Sequence, residues 1–312
     1  MKIAYLILSR DNPEHTQTLI ERISGKNKHC FVHIDANTSY DFEELENLSG
    51  LTLLKPSLKV NPDGFSQVRA ILGLLNLAIS QGQFDYFILL SGNDYPVRSQ
   101  EFIDFYLEKN YKQDEYIHIR KMPYLPAGMS EDQIIHYHFE CNRSNPQSFR
   151  DFVCLSAEYV LKSFKFRKKI DFQLYTGSPW WALTQPCVRY ILEFVSKNPE
   201  FLKIYQMADR PCESFFHTII ANSHFSRHVR HSLTYEEGED FLEAPAVFKE
   251  ESLDLFFENL YINNHWGRYL PLFVRSFNRY NAYLRETIDE EIADFDHELA
   301  LYEVYHNEML HK

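Results

Sequence analysis

The sequence predicts an α/β fold built on a mostly parallel central sheet. Three observations carry this reading. The chain opens on a continuous apolar run, strand-like and helix-like periods alternate through its first hundred residues, and two of the strand-like segments end on or just before an aspartate.

Taken in order, Ile3–Ser9 is apolar at nearly every position, as a strand covered on both faces should be. Asp11-Asn12-Pro13-Glu14 then opens a helix to about Ile23, with proline in the first turn and acids close by. Cys30–Asp35 reads as a second strand and Leu51–Lys55 as a short third. Gly64–Ser80 places Val68, Ile71, Leu74, Leu75 and Ala78 at helical spacing. Tyr86–Leu90 is a fourth strand, running into Ser91-Gly92-Asn93-Asp94. Ligands of such sheets bind at the carboxyl ends of the strands, which raises Asp35 and Asp94 above ordinary surface acids. A helix N-cap is the other role open to each.

From Glu115 to Ile170 the chain reads as irregular and rich in His, Tyr and Arg. Trp180–Thr184 reads as a strand, with helices over Gln185–Lys197 and Pro211–Ser223. Thr287 to about Leu310 reads as one amphipathic helix with Ile292, Phe295, Leu299 and Leu301 on or near one face. The expected organisation is one domain over 1–285 and a helical extension over 286–312.

The 312 residues are 45% hydrophobic and 15% aromatic, enough for a large core and too apolar for a disordered chain. A formal net charge of −12 speaks against nucleic acid as a partner. The basic cluster Lys162, Lys165, Arg167, Lys168 and Lys169 could give peripheral contact with an anionic membrane or a lipid-linked acceptor; a solvated loop is the plainer alternative. Five cysteines without a CxxC pair suggest a reducing compartment. The first apolar run is too short for a signal peptide, and no run reaches the 18 or so residues of a membrane span. The expectation is a cytoplasmic protein, at most peripheral to a membrane.

No GxxxxGK[ST], no GxGxxG after the first strand and no GxSxG is present, so the usual marks of phosphate-loop, dinucleotide and serine-hydrolase chemistry are missing. His217, His224, His228 and His231 crowd one region without an acid at a zincin-like position. Asp294-Phe-Asp296 falls in a predicted helix, where residues two apart point in different directions. Neither predicts a metal site.

Three segments are more specific: Phe87-Ile-Leu-Leu-Ser-Gly-Asn-Asp-Tyr-Pro-Val97, Tyr175-Thr-Gly-Ser-Pro-Trp-Trp-Ala-Leu-Thr184, and Pro211-Cys-Glu-Ser-Phe-Phe-His-Thr-Ile-Ile-Ala-Asn-Ser223. With Ile3–Ser9, His33-Ile-Asp35 and Gly64-Phe-Ser-Gln-Val-Arg-Ala70, they resemble, in order and rough spacing, the core-2/I-branching β-1,6-N-acetylglucosaminyltransferases and peptide O-xylosyltransferases of glycosyltransferase family 14. The resemblance covers about residues 1 to 225. It implies a GT-A (Rossmann-like) glycosyltransferase fold and inverting transfer from a UDP-sugar, most simply UDP-GlcNAc or UDP-xylose, to a glycan or lipid-linked glycan. It implies no metal and no other cofactor.

The resemblance also implies site residues. It places the general base on Glu213. Independently, a carboxylate in the first turn of a helix faces unpaired N–H groups, and it could take the proton of an attacking hydroxyl; simple helix capping is the other reading. Asp35 matches the uridine-binding position, Ser66 and Arg69 the start of the donor-side helix, and Asp94 the donor sugar or diphosphate. A metal-free site needs basic side chains on the leaving diphosphate. Leu272–Asn278 matches the family's basic segment and nominates Arg275, with Lys249 as the alternative. Of Trp180 and Trp181, one offers a flat face to a sugar ring and the other enters the core. The animal enzymes' disulfides and anchor have no counterpart here, which points to a bacterial-type member. Two rival classes are a glycoside hydrolase using Glu213 with Asp94, and a carbohydrate-binding protein that keeps the aromatic residues without a base.

Overall fold

The structure is a computed structural model and describes residues 1–61, 63–111, 114–124, 128–141, 148–237, 247–264 and 267–310. In chain order the strands are β1 (Ile3–Ser9), β2 (Lys28–Ile34), β3 (Leu51–Leu53), β4 (Tyr86–Ser91), β5 (Tyr95–Pro96), β6 (Glu115–Tyr116), β7 (Arg120–Lys121), β8 (Tyr175–Thr176), β9 (Ala182–Thr184), β10 (Val229–Arg230), β11 (Thr234–Glu236), β12 (Ile262–Asn264), β13 (Gly267–Tyr269) and β14 (Phe273–Arg275). The α-helices are α1 (Pro13–Ile23), α2 (Phe65–Gln81), α3 (Gln100–Lys109), α4 (Asp132–Ile135), α5 (Phe149–Ser163), α6 (Gln185–Lys197), α7 (Pro199–Gln206), α8 (Phe215–Ala221), α9 (Leu253–Glu258), α10 (Leu284–Thr287) and α11 (Phe295–Leu310).

The main sheet has seven strands in the order β10-β6-β9-β4-β1-β2-β3. Only β9 runs against the others. The expected mixed α/β fold with a mostly parallel sheet is therefore what the chain forms. Side chains alternate across it as the pleat requires. Ala4, Leu6, Phe31, Phe87 and Leu89 face the core under α2, α6 and α8. Ile3, Tyr5, Ile7, Val32, Ile88 and Leu90 face the core that includes α1 and α3. Both faces are buried, which is why β1 and β4 are apolar throughout.

A second sheet, β11-β14-β5, follows directly from β4 through Asp94 and closes over the carboxyl ends of the main strands. The C-terminal segment packs back on this body. Ile288 and Ile292 join the small third core, and Tyr302 of α11 lies edge-on to Phe102 and Phe105 of α3.

Several elements differ from expectation. The stretch from Glu115 to Ile170 contains α5, fifteen residues long, started by a capping box in which Ser148 and Asp151 satisfy each other's backbone N–H. The strand predicted from Trp180 begins at Ala182. The helix predicted from Pro211 is a 3₁₀ turn over Pro211–Glu213, and α8 proper starts at Phe215. The single terminal helix is broken: a π-helical turn over Ile288–Ile292 precedes α11, in which, among the described side chains, Glu298 and Tyr302 are buried rather than Leu299.

Candidate active site

Two predicted carboxylates stand at strand ends. Asp35, just past β2, is buried, and its Oδ1 accepts from the backbone N–H of Asn37 at 2.9 Å and of Val60 at 3.0 Å. Arg10 Nε, from the end of β1, is 3.6 Å from its Oδ2. These are loop amides, so Asp35 caps no helix. Asp94, past β4, is wholly buried; its Oδ2 accepts from Ser91 N–H at 2.8 Å and its Oδ1 lies 3.3 Å from Arg275 Nε. Burial pushes the Asp94 carboxyl up to about 6, against the pull of Arg275 and the Ser91 N–H.

Glu213 closes the 3₁₀ turn ahead of α8. Its carboxylate pairs with Arg210, Nη1 lying 3.3 Å from Oε2, and its side chain is only 18% exposed. A helix N-terminus by itself favours the ionised form of a carboxylate. The opposite holds: burial pushes Glu213 up to about 7, Arg210 pulls it down, and Glu236, Asp209 and Asp63 push it further up. A carboxyl that titrates near neutrality is suited to accept a proton there.

Gly177 sets the wall behind this residue. Its N–H donates to Glu213 O at 3.0 Å, and a Cβ built on it would sit 1.8 Å from His118 O. Only glycine lets the Tyr175–Trp181 segment pass that close. Ser178 Oγ donates to Glu236, and its carbonyl accepts from His217 Nε2 at 2.8 Å. Glu236 stands opposite Arg275 in the β11–β14 register, so the small sheet brings a carboxylate and a guanidinium side by side. The Arg275 guanidinium carbon lies 3.8 Å from the centre of the Trp180 ring. Trp181 lies in the core against Phe216. Of the two tryptophans, then, Trp181 packs the core and Trp180 carries a cation; neither ring lies open to solvent.

Ser66 and Arg69 share Glu140 at the start of α2. Ser66 Oγ donates to Glu140 and accepts from Asn61 N–H at 2.8 Å, while Arg69 Nη2 is 3.9 Å from Glu140 Oε2. Lys249 is exposed, but its segment is tied to Arg275's: Phe248 N–H donates to Ser276 O at 2.9 Å. The two basic candidates therefore stand on neighbouring stretches of backbone. Among the described residues no three His, Cys, Asp or Glu side chains converge as metal ligands would. Asp294 accepts from His297 N–H at 2.8 Å, a cap for α11.

A family model described as Core-2/I-branching enzyme matches residues 3–249. The chain belongs to that family. Among relatives, mouse xylosyltransferase 2 is 23% identical over 238 residues, covering 72% of this chain and 25% of that protein. The β-glucuronosyltransferase GlcAT14B of Arabidopsis thaliana is 26% identical over 244 residues, covering 71% of this chain and 52% of that one. The chain thus spans a quarter to a half of the length of these curated relatives. The apo structure of mouse xyloside xylosyltransferase 1 aligns over 74% of this chain and 85% of that one, at 11% identity and a TM-score of 0.29, too low to carry an argument.

Within this chain, the family match takes in Asp35, Ser66, Asp94, Trp180, Glu213 and Glu236, whereas Arg275 falls beyond it. The structure brings Asp94 and Arg275 into contact, and Glu236 acts electrostatically on both Asp94 and Glu213. Sequence reasoning missed Arg210, Ser178 and Glu236. Arg210 and Ser178 lie inside or beside quoted motifs, so spacing alone could have nominated them. Glu236 ends an unmarked short strand, and only its pairing with β14 reveals it.

Proposed function

We propose that this chain transfers a sugar from a UDP-sugar to a hydroxyl of a glycan, in a single inverting displacement with Glu213 as general base. The observation that carries the reading is the Glu213 carboxyl itself: enclosed, within the family-matched span, and pushed up to about 7 by burial and neighbouring acids. The acceptor hydroxyl gives its proton to Glu213 as its oxygen bonds to the anomeric carbon. The bond from that carbon to the diphosphate oxygen breaks, and UDP leaves with the electron pair.

Asp35, its position fixed by two backbone donors, accepts from the uridine end in this reading. Arg275, stacked on Trp180 and held by Asp94, is the cation offered to the leaving diphosphate, with Lys249 beside it on the neighbouring segment. Two basic side chains in this role make the reaction independent of a metal. The preferred donors are UDP-GlcNAc and UDP-xylose; the glucuronosyltransferase relatives add UDP-glucuronate to the panel.

The test is thermal shift and donor hydrolysis with each UDP-sugar, in EDTA and then with Mn²⁺. A response to UDP and to one UDP-sugar that persists in EDTA is expected. Silence towards every nucleotide overturns the transferase reading. A response only with Mn²⁺ overturns the role given to Arg275 and Lys249.

A further inference from the structure

Helix α5 is built the wrong way round for a helix that packs on a core. None of its fifteen residues is buried. Its outward face repeats at helical spacing and is largely apolar: Phe149, Phe152, Val153, Tyr159 and Val160, with Ser156 and Ser163 on the same stripe and Arg150 and Lys162 exposed at its margins. Phe149 is 84% exposed, Tyr159 75%, and Phe164, in the turn that follows, 73%. Both acids of the helix are drawn away from that face. Asp151 closes the capping box with Ser148, and Glu158 accepts from Phe139 N–H at 2.5 Å and lies 4.0 Å from His138. The inner face is lightly seated, with a cavity of about 320 Å³ between Leu155, Glu158, Tyr159 and Lys162 of the helix and His136–His138, so that Tyr159 stands at the edge between the cavity and the outward face.

The charge beside this stripe is predominantly basic, with Asp171 the exposed acid nearest to it in sequence. Lys162, Lys165, Arg167 and Lys169 are all exposed. Lys168, grouped with them on sequence, does not belong: it is buried, with Nζ donating to Ile204 O at 2.8 Å and Met207 O at 2.6 Å. Four cations thus flank a solvent-facing apolar stripe on a chain whose net charge is −12. An anionic surface would be repelled by the protein as a whole and attracted here. Two copies joined through this face would bring like-charged clusters together. An apolar stripe with lysine and arginine at its margin is the pattern of a helix that lies in the plane of a bilayer interface.

We propose that α5 and the turn after it dock on an anionic bilayer surface, with Phe149, Phe152, Tyr159 and Phe164 at the headgroup–acyl boundary and Lys162, Lys165, Arg167 and Lys169 against lipid phosphates. The docking requires no assignment of Glu213 and stands or falls apart from the reaction.

The test is flotation of the full chain with phosphatidylcholine vesicles, with and without one-third phosphatidylglycerol, at low and high salt. Two double variants accompany it: Phe152→Ser with Phe164→Ser, and Lys165→Asn with Arg167→Gln. Asn suits the left-handed backbone of Lys165, φ 57°. All four side chains are exposed, so unchanged melting temperatures report intact folds. Wild type should float with the anionic vesicles and be released by salt. Loss of the two cations should weaken partitioning by about thirtyfold, and loss of the two rings by more than about tenfold. Wild type that stays unbound in low salt overturns the proposal, as do variants that float like wild type. Self-association through this face without vesicle binding, abolished by the phenylalanine variant, also overturns it in favour of a second copy.

Discussion

Replacing Glu213 by Gln keeps the side chain's size and removes only its ability to ionise. In the folded protein this carboxyl titrates near 7, against an ordinary 4.5. The folded state therefore holds the proton more tightly than the unfolded state. The stability that follows is fully present below the unfolded value and is lost as pH rises through about 7. The shift corresponds to about 3 kcal/mol at alkaline pH, an upper figure for a side chain that retains some contact with water. For a chain of this length that is about 5 °C in melting temperature. Glu213→Gln should therefore melt above wild type at pH 8.5 and converge with it near pH 4.5. Differential scanning calorimetry across that range reads the difference directly, and the other raised acids cancel because they titrate in both proteins. Transfer activity should move the other way, falling by about 10² to 10⁴-fold if the base is lost, while the wild-type rate climbs through pH 7. A variant that melts no higher than wild type at pH 8.5 would refute the claim that burial loads this carboxylate. A variant that keeps its transfer rate would refute the base.

Arg275→Ala leaves Asp94 buried without its cation, a change worth about 3–5 kcal/mol when the partner stays charged. Asp94 can escape by binding a proton, so denaturant melts should show the loss growing from pH 5 to pH 8; a loss independent of pH would contradict the pairing. Gly177→Ala drives a Cβ into His118 O, and circular dichroism melts should show destabilisation together with lost transfer, since the displaced segment also carries the N–H that holds Glu213 O. Glu298→Ala removes the acceptor of the Ser99 N–H and hydroxyl in a fully buried setting, which should cost about 1–3 kcal/mol in urea unfolding.

The first third of the fold was legible because each strand of a parallel sheet is apolar on both faces and each covering helix shows a clean period. β1, α1, β2, β3, α2 and β4 all lie within a few residues of where the pattern puts them. α5 was hidden for a physical reason. Its apolar stripe is present, but it does not face the protein, and reading the region as loop ignored the one signal that marks its start, Ser148 three residues before Asp151. β6, β9, β10 and β11 are two or three residues long, too short for any period to register. The carboxylates at strand ends could be nominated from sequence because topology alone places them. What they bind to could not, since Asp94 meets Arg275 across 181 residues of chain, through a sheet whose strands carry no pattern. The state of Glu213 was also out of reach: a helix start by itself favours an ionised carboxylate, whereas burial and the surrounding acids push this one the other way.

The Glu298 carboxylate accepts from Ser99, the N-cap of α3, between β5 of the small sheet and the helix. Until residue 298 has been synthesised, that serine's N–H has no such acceptor and the faces of Phe102 and Phe105 that meet Tyr302 are bare. During synthesis the β5–α3 corner would stay open until α11 reached it. A chain cut before residue 298 would leave the Ser99 N–H and hydroxyl without that carboxylate and uncover the faces of Phe102 and Phe105 that Tyr302 meets.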